Sequence, residues 1–428
     1  VVYENKDEDY AKAITPLSLD AEGRLLVSAY NGSDMRGIFR LDVRQGSLKL
    51  EPLFSALAQD LNGSNLIRSA ASGKIYGITY EIDRPSVNWF DRDLQSLQAG
   101  INKVLPDTVN RISGQLEKLD GKVLIQAYSD RDAGRYLIYD RATREMVQVA
   151  VERPWLDSKK MGKSEFFRYD ARDGLSIPAI LTTPPGSSGK KLPLVVMHYG
   201  GPWARAINYG FDENVQFLAS RGYAVLMPAP RASTDWGLKH FSSGFKQWGL
   251  AMQDDVTDGV LDLVKKGVVD PDRVCIAGAS YGGYMTMMGL VKEPKLFKCG
   301  VNWVGVTDPA FMFTVTWTDF NRADAGVFTL KRTLGDPDLD RAQFDLTSPV
   351  KRAKEITQPV LMAYGGLDQR VPIINGEKMR DALSGHNKGV EWVVYPDEGH
   401  GWLRKDNVYD FWRRVERFLA ANIGSTSE

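Results

Sequence analysis

The sequence predicts a chain in two parts. The front is all-β and built from repeated antiparallel units; behind it, strands alternate with helices around a mainly parallel sheet. Three observations carry this. Segments opening at Gly23, Gly73 and Gly121 repeat one pattern. That pattern stops near Trp155. Beyond it, short apolar runs alternate with stretches whose apolar residues fall on one helical face, the arrangement that covers a parallel sheet on both sides.

The repeats read Gly23-Arg24-Leu25-Leu26-Val27-Ser28-Ala29-Tyr30, Gly73-Lys74-Ile75-Tyr76-Gly77-Ile78-Thr79-Tyr80 and Gly121-Lys122-Val123-Leu124-Ile125-Gln126-Ala127-Tyr128. A polar turn and a second apolar run follow each, ending at Asp42, Asp91 and Asp140. Strand, turn, strand at a period of about 49 residues is the rhythm of a β-propeller blade, with tandem sandwich hairpins as the alternative. About three blades do not close a ring, which typically takes about four to eight. Further blades are therefore expected upstream of Val1. The expected boundaries are a partial β-propeller over 1–160 and an α/β domain over 161–428.

The α/β part opens with a hairpin, 164–170 and 175–183. Strands are expected at 194–198, 223–227, 274–277, 301–304, 360–364 and 390–395. Helices are expected at 212–220, 253–266, 281–291 and 407–422. Over 253–266 the apolar positions 256, 260, 261, 263 and 264 share a face.

Composition narrows the function classes. The chain has 428 residues, 43% hydrophobic and 25% charged, with 54 basic and 54 acidic residues. A net charge of zero argues against a nucleic-acid partner. Apolar runs such as Leu194–Met197 are far shorter than the ~18 residues of a membrane span. Cys275 and Cys299 read as two plain buried residues, too few for a disulfide framework or a cysteine-based zinc site. The chain opens Val1-Val2-Tyr3 without a basic-then-apolar leader, and its compartment, cytoplasmic or exported, stays open.

One motif carries chemistry. Gly278-Ala279-Ser280-Tyr281-Gly282 lies between an apolar strand and a helix, the setting of the nucleophile elbow of an α/β-hydrolase domain. Glycine two positions to either side removes the collisions that this sharp turn creates. Serine needs a base, and the base an orienting acid, in the order serine, acid, histidine. Only His386 and His400 follow Ser280. His386 sits in a polar turn and reads as solvated; His400 lies in a glycine-flanked loop after the strand 390–395. Asp368, just past the strand 360–364, is the expected acid. Asp336, Asp338, Asp340 and Asp345 lie in a proline-containing stretch and read as surface residues. The oxyanion needs two donors. The Tyr281 backbone N–H is one. Tyr199, in His198-Tyr199-Gly200-Gly201-Pro202-Trp203, is either the second or a half-buried aromatic at a strand end.

Tyr199-Gly200-Gly201-Pro202, Gly278-x-Ser280-Tyr281-Gly282-Gly283-Tyr284, Asp368-x-Arg370-Val371-Pro372 and Glu398-Gly399-His400-Gly401 together resemble the prolyl oligopeptidase family of serine peptidases. The resemblance covers about 163–422. It implies a C-terminal α/β-hydrolase domain capped by a propeller, and it favours Tyr199 as the second oxyanion donor. It further implies that Arg370 binds a substrate carbonyl and that Val306 and Val371 line the pocket beside the scissile bond. Phe311, Phe313 and Trp317 lie in the expected pocket-lining stretch, with a plain core or lid role as the alternative for each, and Tyr281 and Tyr284 could wall the same pocket. Dipeptidyl peptidases of the family anchor the substrate amino terminus with propeller acids, for which Glu81-Ile82-Asp83 is a loose candidate. The texture of 253–260 leans toward the acylaminoacyl-peptidase branch. Asp254, Asp255 and Asp258 read as first-turn acids complementing a helix dipole.

The expected function is a serine peptidase hydrolysing short peptides through an acyl-enzyme on Ser280. A carboxylesterase on the same fold is the alternative, and a non-catalytic binding protein a third class. No metal or organic cofactor is implied. The expected partners are short peptides, without nucleic acid or membrane; homo-oligomerisation is left open.

Overall fold

The computed structural model describes residues 10–42, 49–55, 59–69, 72–118, 120–314 and 324–424, with the backbone alone over 324–328. The chain divides into two compact units. One comprises Val1–Met161 with Asn208–Glu213 and Thr234–Lys239; the other comprises Gly162–Ile207, Asn214–Ser233 and His240–Glu428.

Among the described residues, the first unit holds three antiparallel propeller blades. Strands β1 (Ile14–Leu19), β2 (Leu25–Ala29), β3 (Gly37–Asp42) and β4 (Lys49–Phe54) form one sheet in chain order. β5 (Leu66–Arg68), β6 (Ile75–Glu81) and β7 (Pro85–Trp89) form the second. After helix α1 (Arg92–Val104), β8 (Val109–Gly114), β9 (Lys122–Tyr128), β10 (Arg135–Asp140) and β11 (Glu145–Val151) form the third.

The sequence repeats fall on the second and third strands of each sheet, and their fixed residues have physical reasons. Gly23 and Gly73 adopt φ of 73° and 72°, the left-handed region that glycine enters without a steric penalty. The basic residue and the terminal aspartate pair across the two strands: Lys74 with Asp91 at 3.7 Å and Lys122 with Asp140 at 3.5 Å. Arg24 departs from this and pairs with Asp20 at 2.8 Å.

Helix α1 was not expected. Asp91 caps it, accepting from the N–H groups of Asp93 and Leu94 at 3.0 and 3.2 Å. Leu94 and Ile101 then pack into one cluster with Tyr76, Trp89, Ile112 and Ile125. Glu81 accepts from the Tyr209 N–H at 2.6 Å, and Asp83 from the N–H of its neighbour Arg84 at 2.9 Å.

The described residues of the second unit are built on an eight-stranded sheet. Its strands are β12 (Lys163–Asp170), β13 (Ser176–Thr183), β14 (Leu192–His198), β15 (Ala224–Pro228), β16 (Val269–Ala279), β17 (Cys299–Trp303), β18 (Val360–Gly365) and β19 (Val390–Tyr395), in the order β12-β13-β15-β14-β16-β17-β18-β19. β12 and β13 form the expected antiparallel hairpin, and β13 pairs antiparallel with β15. Every pairing beyond β15 is parallel. β14, β15, β17 and β18 are buried at every residue, as strands covered on both faces must be.

The helices are α2 (Glu213–Ser220), α3 (Leu238–Ser242), α4 (Ala251–Lys265), α5 (Tyr281–Lys292), α6 (Phe311–Thr314), α7 (Asp324–Thr333), α8 (Arg341–Leu346), α9 (Ile374–Ser384) and α10 (Lys405–Ile423). The sequence reading found α2, α4, α5 and α10 and missed the others.

Two readings are corrected. Cys275 and Cys299 are not plain buried residues: they stand opposite each other on the adjacent strands β16 and β17 and are joined as a disulfide. The acids of α4 form specific ion pairs rather than only facing the helix dipole. Asp255 is fully buried against Arg231 at 2.7 Å, and Arg231 also holds Asp173. Asp254 pairs with Lys292 at 2.7 Å and Asp258 with Arg172 at 2.8 Å.

Candidate active site

Ser280 sits between the end of β16 and the start of α5 with φ 57° and ψ −119°. A non-glycine residue held there costs about 1–3 kcal/mol. Backbone bonds hold it in place. Its N–H donates to the Trp303 carbonyl at 3.1 Å, and its carbonyl accepts from the Tyr284 and Val306 N–H groups at 3.1 and 3.4 Å. The flanking glycines are required by space. A methyl on Gly278 would stand 2.6 Å from the His198 carbonyl oxygen, and one on Gly282 2.9 Å from that of Tyr199.

Asp368 follows β18, and its side chain is completely buried. One carboxylate oxygen accepts from the Arg370 and Val371 N–H groups at 2.8 and 2.9 Å. The other faces His400 Nδ1 at 2.7 Å. Nδ1 therefore carries the donated proton, which leaves Nε2 with the lone pair a base needs.

The loop bearing His400 is tied by Glu398, to which the sequence reading gave no role. Its buried carboxylate accepts from the Leu403 and Arg404 N–H groups at 3.0 and 2.9 Å and from Asn407 Nδ2 at 2.8 Å. Burial opposes its ionisation, but these bonds outweigh burial and hold the carboxyl below its usual range.

Ser280 and His400 line one cavity of about 370 Å³. Tyr199 and Arg370 complete its polar end, and Trp203, Trp248, Val306, Met312 and Val371 its apolar wall. The Tyr199–Gly200 segment runs beside the nucleophile: a methyl on Gly200 would stand 3.9 Å from Ser280 Oγ. Asn214 Nδ2, on α2, donates to the Tyr199 hydroxyl oxygen at 3.3 Å. The Tyr281 N–H is the first of α5 and so has no acceptor within the helix, while its ring is buried against Trp248 and faces the Met252 sulfur.

The structure thus brings Ser280, His400, Tyr199, Tyr281, Arg370, Val306 and Val371 to one cavity, with Asp368 directly behind His400. It does not bring Tyr284 or Phe311 there. Tyr284 lies one turn further along α5, fully buried behind Tyr281, and its hydroxyl donates to the Thr347 carbonyl at 2.9 Å. Phe311 lies under the Lys378 ammonium at 4.6 Å, and Phe313 packs on Phe344. Trp317 lies outside the described residues. Trp203, Trp248, Trp303 and Met312 are lining residues that sequence reasoning did not single out as pocket walls.

His386 is exposed, with Nε2 3.0 Å from the Ala353 carbonyl. Asp336, Asp340 and Asp345 pair with Lys331, Lys246 and Lys351. His198, beneath the Tyr199 loop, is buried edge-on to Tyr281. Its ring nitrogens have no hydrogen-bond partner among the described residues, and burial pushes the imidazole down to about 4.

Comparison with known proteins adds to this geometry. The chain is 32% identical to dipeptidyl aminopeptidase BIII of Pseudoxanthomonas mexicana, over 97% of this chain and 60% of that protein. It is 26% identical to dipeptidyl peptidase family member 6 of Caenorhabditis elegans, over 97% and 59%. It shares its fold with a puromycin-hydrolyzing peptidase of Mycobacterium tuberculosis: TM-score 0.77 at 21% identity, covering 96% of this chain and 61% of that one. The chain therefore spans about three-fifths of the length of the relatives it matches. The sequence model of the prolyl oligopeptidase family matches residues 209–426, a segment holding Ser280, Asp368 and His400. That match covers half of the chain, and the chain belongs to the prolyl oligopeptidase family.

Proposed function

We propose that this chain is a serine peptidase that hydrolyses short peptides through an acyl-enzyme on Ser280. One observation carries the reading: the 2.7 Å bond from His400 to an Asp368 fixed by two backbone N–H groups, with His400 and Ser280 on one cavity.

Ser280 Oγ attacks the scissile carbonyl carbon while His400 Nε2 takes its proton. Asp368 holds the tautomer and stabilises the imidazolium that forms. The Tyr281 N–H and the Tyr199 hydroxyl donate to the oxyanion, and the N-terminus of α5 adds partial positive charge. The C–N bond then breaks, and the amine leaves with the proton from His400. Water repeats the sequence on the acyl-enzyme and returns Ser280. Arg370 binds a substrate backbone carbonyl, and the apolar wall takes the side chain next to the cleaved bond.

The names of the two relatives that match 97% of the chain support peptides as substrates and favour release of dipeptides from a free amino end. A carboxylesterase would use the same machinery without needing Arg370. Arg370→Ala separates the two. Peptide-amide hydrolysis should fall at least tenfold further than hydrolysis of a small p-nitrophenyl ester. Equal losses on both substrates would contradict the peptidase reading. Profiling peptides with free and acylated amino ends would fix the cleavage mode.

A further inference from the structure

The Tyr199 phenol carries a single proton, and an oxyanion donor works only if that proton points at the oxyanion. One contact bears on that direction. Asn214 Nδ2 lies 3.3 Å from the Tyr199 hydroxyl oxygen. An amide nitrogen has no lone pair to accept with, so here the phenol oxygen is the acceptor and keeps its proton for another partner. A hydroxyl that accepts one hydrogen bond is also polarised into a stronger donor of the next. Asn214 sits at the start of α2, whose Val215, Leu218 and Ala219 are buried, so its backbone is anchored independently of the Tyr199 loop.

We propose that Asn214 is a positioning residue for the oxyanion hole: it orients the Tyr199 hydroxyl proton toward the oxyanion formed at Ser280 and strengthens it as a donor. This rests on the reading of Tyr199 as an oxyanion donor. Asn214 touches no substrate atom in this scheme. Its effect passes through the phenol and is felt in the transition state, so it lowers kcat when lost and leaves KM nearly unchanged.

The test is a double-mutant cycle on the full chain, with a peptide-amide substrate and unfolding midpoints measured in parallel. Tyr199→Phe alone sets the scale, at roughly 10²–10³-fold in kcat for one oxyanion donor. Asn214→Leu, which matches the size of asparagine and cannot donate, should lower kcat about 3–10-fold at constant KM, the size of one neutral hydrogen bond. Asn214→Asp should lower it further, because an ionised carboxylate accepts the phenol proton and turns it away from the oxyanion. That excess loss should shrink as pH falls and the new carboxyl protonates. In the Tyr199→Phe background, Asn214→Leu should change kcat less than twofold.

A loss from Asn214→Leu that persists undiminished in that background would overturn the proposal, since Asn214 would then act on the fold and not through the phenol. So would an Asn214→Asp variant whose kcat stays within about twofold of wild type across the pH range, a result read against wild type and so independent of how well the leucine variant folds. If Tyr199→Phe alone leaves kcat within about threefold of wild type, the oxyanion reading beneath the proposal fails, and the proposal fails with it.

Discussion

The floor of the cavity and its rim are built by different means. The floor is Ser280 with its neighbours, fixed by main-chain bonds to Trp303, Val306 and Tyr284 and by glycines that admit no side chain. The rim is Tyr199, His400 and Arg370. Side-chain bonds aim Tyr199 and His400: Tyr199 receives one from Asn214, and His400 gives one to Asp368. A floor made of backbone is positioned by folding itself, so disturbing it disturbs the sheet. A rim aimed by side chains can lose its chemistry while the fold stands. Asp368 joins the two: its side chain is completely buried, yet it aims a rim residue.

The sharpest way to break this contrast is Gly282→Ala. The added methyl meets the carbonyls of His198 and Tyr199, both backbone atoms. Activity should disappear, and stability should fall by more than about 2 kcal/mol, the range of backbone and overpacking lesions. A denaturation curve with an unchanged midpoint would show that the backbone of the floor yields to the added methyl.

Next in size is Asp368→Asn. The amide keeps an oxygen for the Arg370 and Val371 N–H groups, but its NH₂ faces His400 Nδ1 and imposes the wrong tautomer. Peptide kcat should drop by roughly 10⁴-fold, with the unfolding midpoint changed far less than by Gly282→Ala. If both measures fall together, Asp368 belongs with the floor alone.

The smallest effect is on pH. Burial lowers His198 from 6.5 to about 4. A histidine lowered in the folded state is neutral there while its unfolded counterpart protonates. Its contribution is therefore full above pH 6.5 and is lost as pH falls from 6.5 toward 4, at up to about 1.4 kcal/mol per pH unit. His240, lowered to about 4 mainly by burial, has the same sign. The loss of stability between pH 7 and pH 5 should be smaller in His198→Phe than in wild type. An unchanged pH dependence would mean that His198 is not the neutral, buried group beneath the Tyr199 loop described above.

What the sequence reveals follows the same division. The elbow is legible because its physical demand, two glycines around a strained serine, is written locally. The acid and base are legible because loops at the carboxyl ends of consecutive strands must converge in this fold. The pocket wall is not. Trp203, Trp248 and Met312 arrive from segments far apart in the chain, and nothing local marks them. Tyr284 misleads because it shares a motif with Ser280 while its position along α5 buries it in the next layer. The Cys275–Cys299 pair needs the adjacency and register of β16 and β17, which appear only once the strand order is known. Helix α1 hides behind Asp91, which reads as the end of a blade repeat and also caps the helix that follows. In the blades, by contrast, each repeat carries its own reasons, a left-handed glycine or a cross-strand ion pair, so period alone finds them.

The central claim is that Ser280 is the nucleophile of this site. Treatment of the folded chain with a fluorophosphonate, followed by peptide mapping by mass spectrometry, tests it most directly. The account predicts a single adduct on the peptide containing Ser280, absent from Ser280→Ala while the unfolding midpoint of that variant stays at the wild-type value. An adduct on a different residue, or labelling that survives in Ser280→Ala, would contradict it.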